Sequence, residues 1–160
     1  MQVCLAASPR FVGADGASVA LAARDAALLA WLALEGPTPR ARLAALLWPE
    51  SDADAARNAL RQRLFNLRKL LGIEAVAGSA TLALAAGLAH DLDDADSVLG
   101  DAAAAAGGEF AEWLERQRAR RRGRVRSDLA ELAQMAESAG DWTDALAHAQ
   151  ELLVLSLIHI

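Results

Sequence analysis

The chain of 160 residues contains a single cysteine, Cys4. One thiol can form neither an intramolecular disulfide nor a zinc cluster of several thiolates. Proteins without disulfides are usual in a reducing compartment. Residues 1–11 lack the charged-then-apolar pattern of a signal peptide, and no apolar run is both long enough and helix-compatible enough to span a membrane. We therefore expect a cytoplasmic protein with no membrane partner.

The sequence also lacks the motifs of common enzymes. It has no HExxH, P-loop or GxSxG pattern, and its histidines, His90, His148 and His159, lie far apart along the chain. The aspartates of residues 90–100 do not have the spacing of a calcium loop, because Ala95 stands where a ligand is needed and no glycine follows. We predict no enzymatic activity, no metal and no cofactor, and we expect these aspartates to cap helices in a linker.

Basic and acidic residues are distributed unevenly along the chain. Residues 1–72 hold nine basic and six acidic side chains, residues 73–108 hold six acids and no basic group, and residues 109–160 hold seven arginines and nine acids. Because attraction to phosphate acts locally, the net charge of −5 does not exclude DNA as a partner of the N-terminal part.

Short strands are predicted first, followed by two helices. Residues 3–6, 11–12 and 19–21 are apolar, and the last two segments flank an Asp-Gly turn typical of a hairpin. Residues 25–35 carry leucines at helical spacing before a Gly-Pro stop. A second helix is expected to be capped by Thr38, with proline at its first position, and to end at Trp48-Pro49.

A third and longer helix is predicted to start at a cap, Ser51 or Asp52, and to end at Gly72. Its apolar residues recur at intervals of four and three and predict a buried stripe formed by Ala56, Leu60, Leu64, Leu67 and Leu71. After it, residues 75–76 and 81–84 predict a second hairpin. Strands, three helices and a terminal hairpin in this order describe a winged helix, which we place at residues 1–90.

The remainder, residues 91–160, is predicted to be helical from Leu92 onward. Residues 109–138 indicate one long helix or two, and residues 141–155 another, joined at Ala139-Gly140. Such a helix pair is the unit of tetratricopeptide-type repeats. The predicted fold class is therefore mainly α with small β elements, a winged helix-turn-helix followed by an α-helical repeat-like domain.

The third helix has side chains suited to recognising bases in the major groove of DNA. Its five basic residues between positions 57 and 69 are accompanied by no acid. Arginine can bond guanine bidentately, and Asn or Gln can do so with adenine in the major groove. Helical spacing places Asn58, Arg61, Gln62, Phe65 and Lys69 on the outward face, with Arg57 and Arg68 on one shoulder and Arg63 and Asn66 on the other.

Two alternatives remain open for this helix. The basic face could be merely solvated, or it could dock onto the acidic middle segment. Phe65 could be exposed, contacting a thymine methyl or a partner protein, or a small rotation of the helix could bury it in the core.

The stretch 27–72 resembles the winged-helix domain of the antibiotic regulatory protein (SARP) family of activators. The resemblance is carried by Leu-Trp-Pro at 47–49, Ala-Arg-Asn at 56–58 and the Leu-x-x-Leu-Arg-x-x-Leu-Gly motif that ends at Gly72. It implies an OmpR-like winged helix. In such a fold Asn58, Arg61, Gln62, Phe65, Asn66 and Lys69 would face the major groove, and Gly78, Ser79 and Thr81 would form the wing tip on the backbone or minor groove.

Three features depart from that family. The sequence has Arg24-Asp25 where the family usually has Arg-Lys, which removes a phosphate contact. Phe65 stands where the family more often has a small polar residue, and the wing, residues 75–85, has no basic side chain.

Residues 109–122 and 136–153 resemble helices of the bacterial transcriptional activator domain (BTAD) that follows the winged helix in these regulators. The arginine run 116–126 is either a solvated, partly paired face or a contact for nucleic acid or polymerase. Residues 156–160 depart from the pattern, so we expect the domain to be truncated there.

We predict a sequence-specific DNA-binding transcriptional regulator, an activator associated with the nucleoid. Its expected partners are double-stranded DNA and RNA polymerase, and its helical half would mediate dimerisation, polymerase contact or signal reception. The alternative is a protein-protein interaction module with the winged helix as a docking surface.

Overall fold

The computed structural model describes residues 1–100 and 107–157, and their side chains up to residue 155. The chain forms two compact units, Met1–Gln117 and Arg118–Ile160. The described residues are mainly α-helical with small β-sheets, as the sequence predicts. None of the described helices is both long and apolar enough to cross a membrane.

The N-terminal sheet contains β1 (Gln2–Cys4), β2 (Arg10–Val12) and β3 (Ser18–Ala20) as antiparallel neighbours. The predicted hairpin is confirmed: the Asp15 carboxylate accepts the Ala17 N–H at 3.0 Å, and Gly16 takes the positive φ of the turn. The sheet gains a parallel fourth strand beside β1 from a segment near residue 90, numbered β7 below.

Helices α1 (Ala23–Glu35), α2 (Arg40–Leu47) and α3 (Ala53–Leu71) follow. The Asp52 carboxylate caps α3 by accepting the N–H groups of Asp54 and Ala55, and Gly72 ends the helix in the left-handed conformation. These features agree with the sequence prediction. In the predicted stripe of α3, Leu64 is only half-buried, whereas the other four members are buried.

The predicted cap of the second helix is wrong. Thr38–Pro39 forms β4, which pairs with β6 (Thr81–Leu84), and α2 begins at Arg40. The Thr38 hydroxyl donates to Gly36 O at 3.0 Å and accepts the indole N–H of Trp31 at 3.1 Å. A buried indole N–H needs an acceptor, so this hydroxyl stabilises the core instead of the helix start.

The second hairpin is confirmed. Strands β5 (Val76–Ala77) and β6 pair antiparallel, and the small sheet has the order β4-β6-β5. Gly78 follows β5 with a φ of 109°, and a Cβ there would lie 2.0 Å from Thr81 O. Only glycine fits this turn without a shift of the backbone.

The aspartate-rich segment is not helical, which corrects the prediction for Leu92 onward. Residues 91–100 form turns and bends after β7 (Ala89–His90), and residues 101–106 lie outside the described part of the chain. Asp91 accepts the backbone N–H groups of Leu5 and Ala6 at 2.6 and 3.2 Å. This aspartate therefore caps the end of a strand, where ladder partners run out, and not a helix.

Helix α4 (Glu109–Ala139) is a single helix, and its first turns belong to the first unit. Phe110 and Leu114 are fully buried, and the ring of Trp113 lies 4.9 Å from that of Trp31. The indole N–H of Trp113 donates to the Glu35 carboxylate at 2.6 Å. The start of α4 therefore completes the core over α1.

The second unit is a helix pair formed by the rest of α4 and α5 (Trp142–Leu157). The predicted junction is confirmed: Gly140 has a φ of 78°, and the Asp141 carboxylate accepts the N–H of Asp144 at the start of α5. No side chain between residues 118 and 155 is fully buried. Of the predicted truncated end, residues 158–160 lie outside the part of the chain that the structure describes.

Candidate nucleic-acid interface

One face of α3 is open to solvent, and it is the face that the sequence predicts. Leu60 and Leu67 are buried on the opposite side and fix the rotation of the helix about its axis. Of the nine predicted residues on α3, Arg63 is half-buried and the others are exposed: Arg57, Asn58, Arg61, Gln62, Phe65, Asn66, Arg68 and Lys69.

Phe65 points into solvent, with 64% of its surface exposed. The alternative in which a rotated helix buries Phe65 is therefore wrong, because Leu60 and Leu67 occupy the core. Leu70 is also exposed on this helix. An exposed phenyl ring can contact a thymine methyl group or an apolar patch of a protein, and both of these alternatives remain.

The polar side chains of this face are available for new contacts. Within residues 1–100 and 107–157, no acid lies within ion-pair distance of Arg61, Arg68 or Lys69. Gln62 donates to the Asn66 side chain at 3.3 Å in an exposed hydrogen bond. Such a bond contributes little in water, so the edge of a base could replace it.

The two other shoulder arginines have acidic partners. Arg57 pairs with Asp54 one turn earlier on α3, and both side chains are exposed, so the pair is weak. The Arg63 Nε lies 2.7 Å from a carboxylate oxygen of Asp25, a residue of α1 whose side chain is only 7% exposed. Arg63 therefore anchors α3 to α1, and a phosphate contact would require it to leave a buried carboxylate.

Burial raises the pKa of the Asp25 carboxyl, and the positive charge of Arg63 opposes that shift. Asp25 therefore supplies a contact between helices α1 and α3.

The connection between α2 and α3 is packed against the start of α1. Trp48 is buried at the end of α2, and the guanidinium of Arg24 stacks 5.3 Å from the centre of its ring. Arg24 also pairs with Glu50 at 3.2 Å. These contacts hold the segment that sets the direction in which α3 leaves α2.

The predicted wing tip is an exposed turn formed by Gly78, Ser79 and Ala80, with Thr81 exposed behind it. Sequence reasoning missed one basic residue at this place, Arg40. It lies beside the turn because β4 pairs with β6, and that pairing was hidden by the interpretation of Thr38–Pro39 as a helix start. A threonine before a proline is also typical of an edge strand, and this signal could have revealed it.

Comparison of the chain with protein-family models, with curated proteins and with solved structures found no match. The resemblance to the antibiotic regulatory protein family therefore rests on sequence motifs alone. Among the residues that the structure describes, no three metal-ligating side chains cluster closely enough to hold an ion.

Proposed function

We propose that this chain binds double-stranded DNA as part of a transcriptional regulator, with α3 as its recognition helix. The observation that carries the proposal is the exposed face of α3, on which Arg61, Lys69 and the side-chain amides stand without any acid. An ordinary solvated helix mixes charges of both signs, whereas α3 carries no acid from Arg57 to its end at Leu71.

The arrangement of elements supports the same proposal. Helix α2, a short turn and α3 have the order of a helix-turn-helix, and the β4-β6-β5 sheet with its exposed hairpin has the position of a wing. Arginines and Lys69 would supply affinity through phosphates, and Asn58, Arg61 and Gln62 would read base edges. The SARP-like motifs support a winged helix of this kind.

For the second unit we propose a repeat-like helical domain that contacts proteins, with RNA polymerase or a second copy of the chain as partner. The exposed apolar side chains Met135, Trp142 and Leu146 support this assignment, because methionine and aromatic residues are enriched at protein-protein interfaces. The regulator would then act in the cytoplasm on the nucleoid.

The first prediction tests DNA reading by Arg61. We expect Arg61→Ala to weaken binding of the full chain to its selected duplex by about 1–3 kcal/mol, since one bidentate base contact is lost. The duplex would come from a random library enriched at two salt concentrations. Arg10→Ala is the matched control, because Arg10 is an exposed arginine of the N-terminal sheet. Folded protein that enriches no motif would overturn the proposal.

A second candidate function is a docking surface for a protein on the same helix. It is favoured by Phe65 and Leu70, which are 64% and 49% exposed. Under this alternative DNA binding would be weak and indifferent to Arg61→Ala, and Phe65→Ser would abolish binding of the protein partner instead.

A further inference from the structure

The hairpin turn has no basic side chain of its own, yet a guanidinium lies beside it. Thr38 and Pro39 pair with β6, so residue 40 stands opposite the turn. The Arg40 N–H donates to Ala80 O at 2.8 Å, and its Nη1 reaches Ser79 O at 3.5 Å. The pairing of strands thus fixes a positive charge next to a turn that lacks one.

Arg40 and Arg68 line the same groove between α3 and the hairpin. The groove has a volume of about 210 Å³ and is also lined by Phe65, Gly78 and Glu74. A water molecule takes roughly 30 Å³ of liquid, so a larger polar group has room here. No ion pair joins Arg40, Arg68 or Glu74 to another charged group in the described part of the chain.

We propose that this groove binds one phosphate of the DNA backbone, held by Arg40 from the hairpin side and by Arg68 from the α3 side. The inference rests on the proposed function and assigns a site to it. A guanidinium presents a planar fork of donors that matches phosphate, and Arg40 uses only one Nη for its bond to Ser79. Because the two arginines belong to different elements, the contact fixes the register of both on the duplex.

Glu74 works against this contact. Glu74 is one of the residues that line the groove, and no ion pair with either arginine compensates the charge of its carboxylate. A phosphate bound there is therefore repelled by a like charge at short range. The groove combines two attractive groups with one repulsive group, so its affinity for phosphate is held below the maximum that the arginines allow.

The test measures binding of the full chain to a short duplex of mixed sequence over a series of salt concentrations. We expect Arg40→Ala to make the negative slope of log affinity against log salt shallower by about 0.9, as for one lost phosphate contact. The affinity at physiological salt should fall by about fivefold. Base preference in the library selection should stay unchanged. Arg10→Ala is again the control, with no change in slope.

Glu74→Gln provides an independent arm that does not remove a hydrogen bond from the hairpin. It should raise the affinity, and the rise should vanish in Arg40→Ala/Arg68→Ala, where no phosphate is held. Wild-type affinity and slope in Arg40→Ala, or an unchanged affinity in Glu74→Gln, would overturn the inference. If Arg61→Ala still weakens binding in that case, the proposed function stands; if no variant and no duplex shows binding, the proposed function itself fails.

Discussion

Asp25 has an environment unlike that of an ordinary surface carboxylate. Its side chain is 7% exposed, burial raises the pKa of its carboxyl, and Arg63 only partly opposes that shift. The native state therefore holds a proton on Asp25 more tightly than the unfolded chain does. Its contribution to stability is fully present below the unfolded pKa of about 3.8 and is lost as the pH rises through the folded pKa.

Asp25→Asn isolates this contribution. We expect the free energy of unfolding of the wild type, relative to that of Asp25→Asn, to fall as the pH rises from about 3.8 through the raised pKa. Urea unfolding of both proteins across the acidic range measures the difference, in which the other carboxylates cancel. A difference that does not vary with pH would mean that the Asp25 pKa is the same in both states.

The turn between β5 and β6 depends on a single residue, Gly78. Its φ of 109° and the 2.0 Å approach of a Cβ to Thr81 O leave no place for a side chain. We expect Gly78→Ala to lower the free energy of unfolding by about 1–3 kcal/mol, because strain must be absorbed by the hairpin.

Gly87→Ala is the matched control. Gly87 also has a positive φ, of 82°, but no atom lies within 4 Å of the position of its Cβ. Gly87→Ala therefore costs only the free energy of placing alanine at a positive φ, with no steric clash. Equal losses of unfolding free energy in the two variants would contradict the steric argument. Circular dichroism during thermal unfolding measures both.

The elements that the sequence predicts well are those with local signals. The apolar stripe lies within α3, and the Asp52 cap and Gly72 directly flank it, so periodicity and capping chemistry predicted its bounds and its exposed face. The features missed depend on partners far along the chain. The Thr-Pro pair at 38–39 is typical of an edge strand, but it does not identify Trp31 and β6 as the partners of Thr38. Likewise, nothing near Asp91 in the sequence identifies the N–H groups of Leu5 and Ala6 as its partners.

The same limit applied to the candidate site. The outward face of α3 followed from helical spacing, whereas the pairing of Arg63 with Asp25 and the position of Arg40 at the hairpin required the tertiary fold. A charged residue on a shoulder of a helix has the same sequence signature whether it meets a carboxylate or solvent.

On the scale of the whole molecule, the first compact unit extends beyond the three helices and two hairpins to Gln117. Trp113 is central to this extension, because it is buried against Trp31 and Phe110 and bonded to Glu35. The early turns of α4 are thus part of the core that supports α1.

Trp113→Ala should therefore destabilise the first unit by about 3–5 kcal/mol, through lost burial and a cavity. Trp113→Phe is the control that keeps most of the packing and loses the bond to Glu35, at a loss of about 1–3 kcal/mol. Urea unfolding of the full chain measures both. Wild-type stability in Trp113→Ala would show that the core over α1 does not depend on α4.

The bond from Leu5 to Asp91 joins residues 86 positions apart. At a synthesis rate of about 5–20 residues per second, roughly 4–17 s pass between the synthesis of β1 and that of the aspartate that caps its end. For that interval its backbone donors are an open edge to which another nascent chain can pair. Strand β1 is the first strand made, yet its edge is not covered until residues 89–99 have left the ribosome.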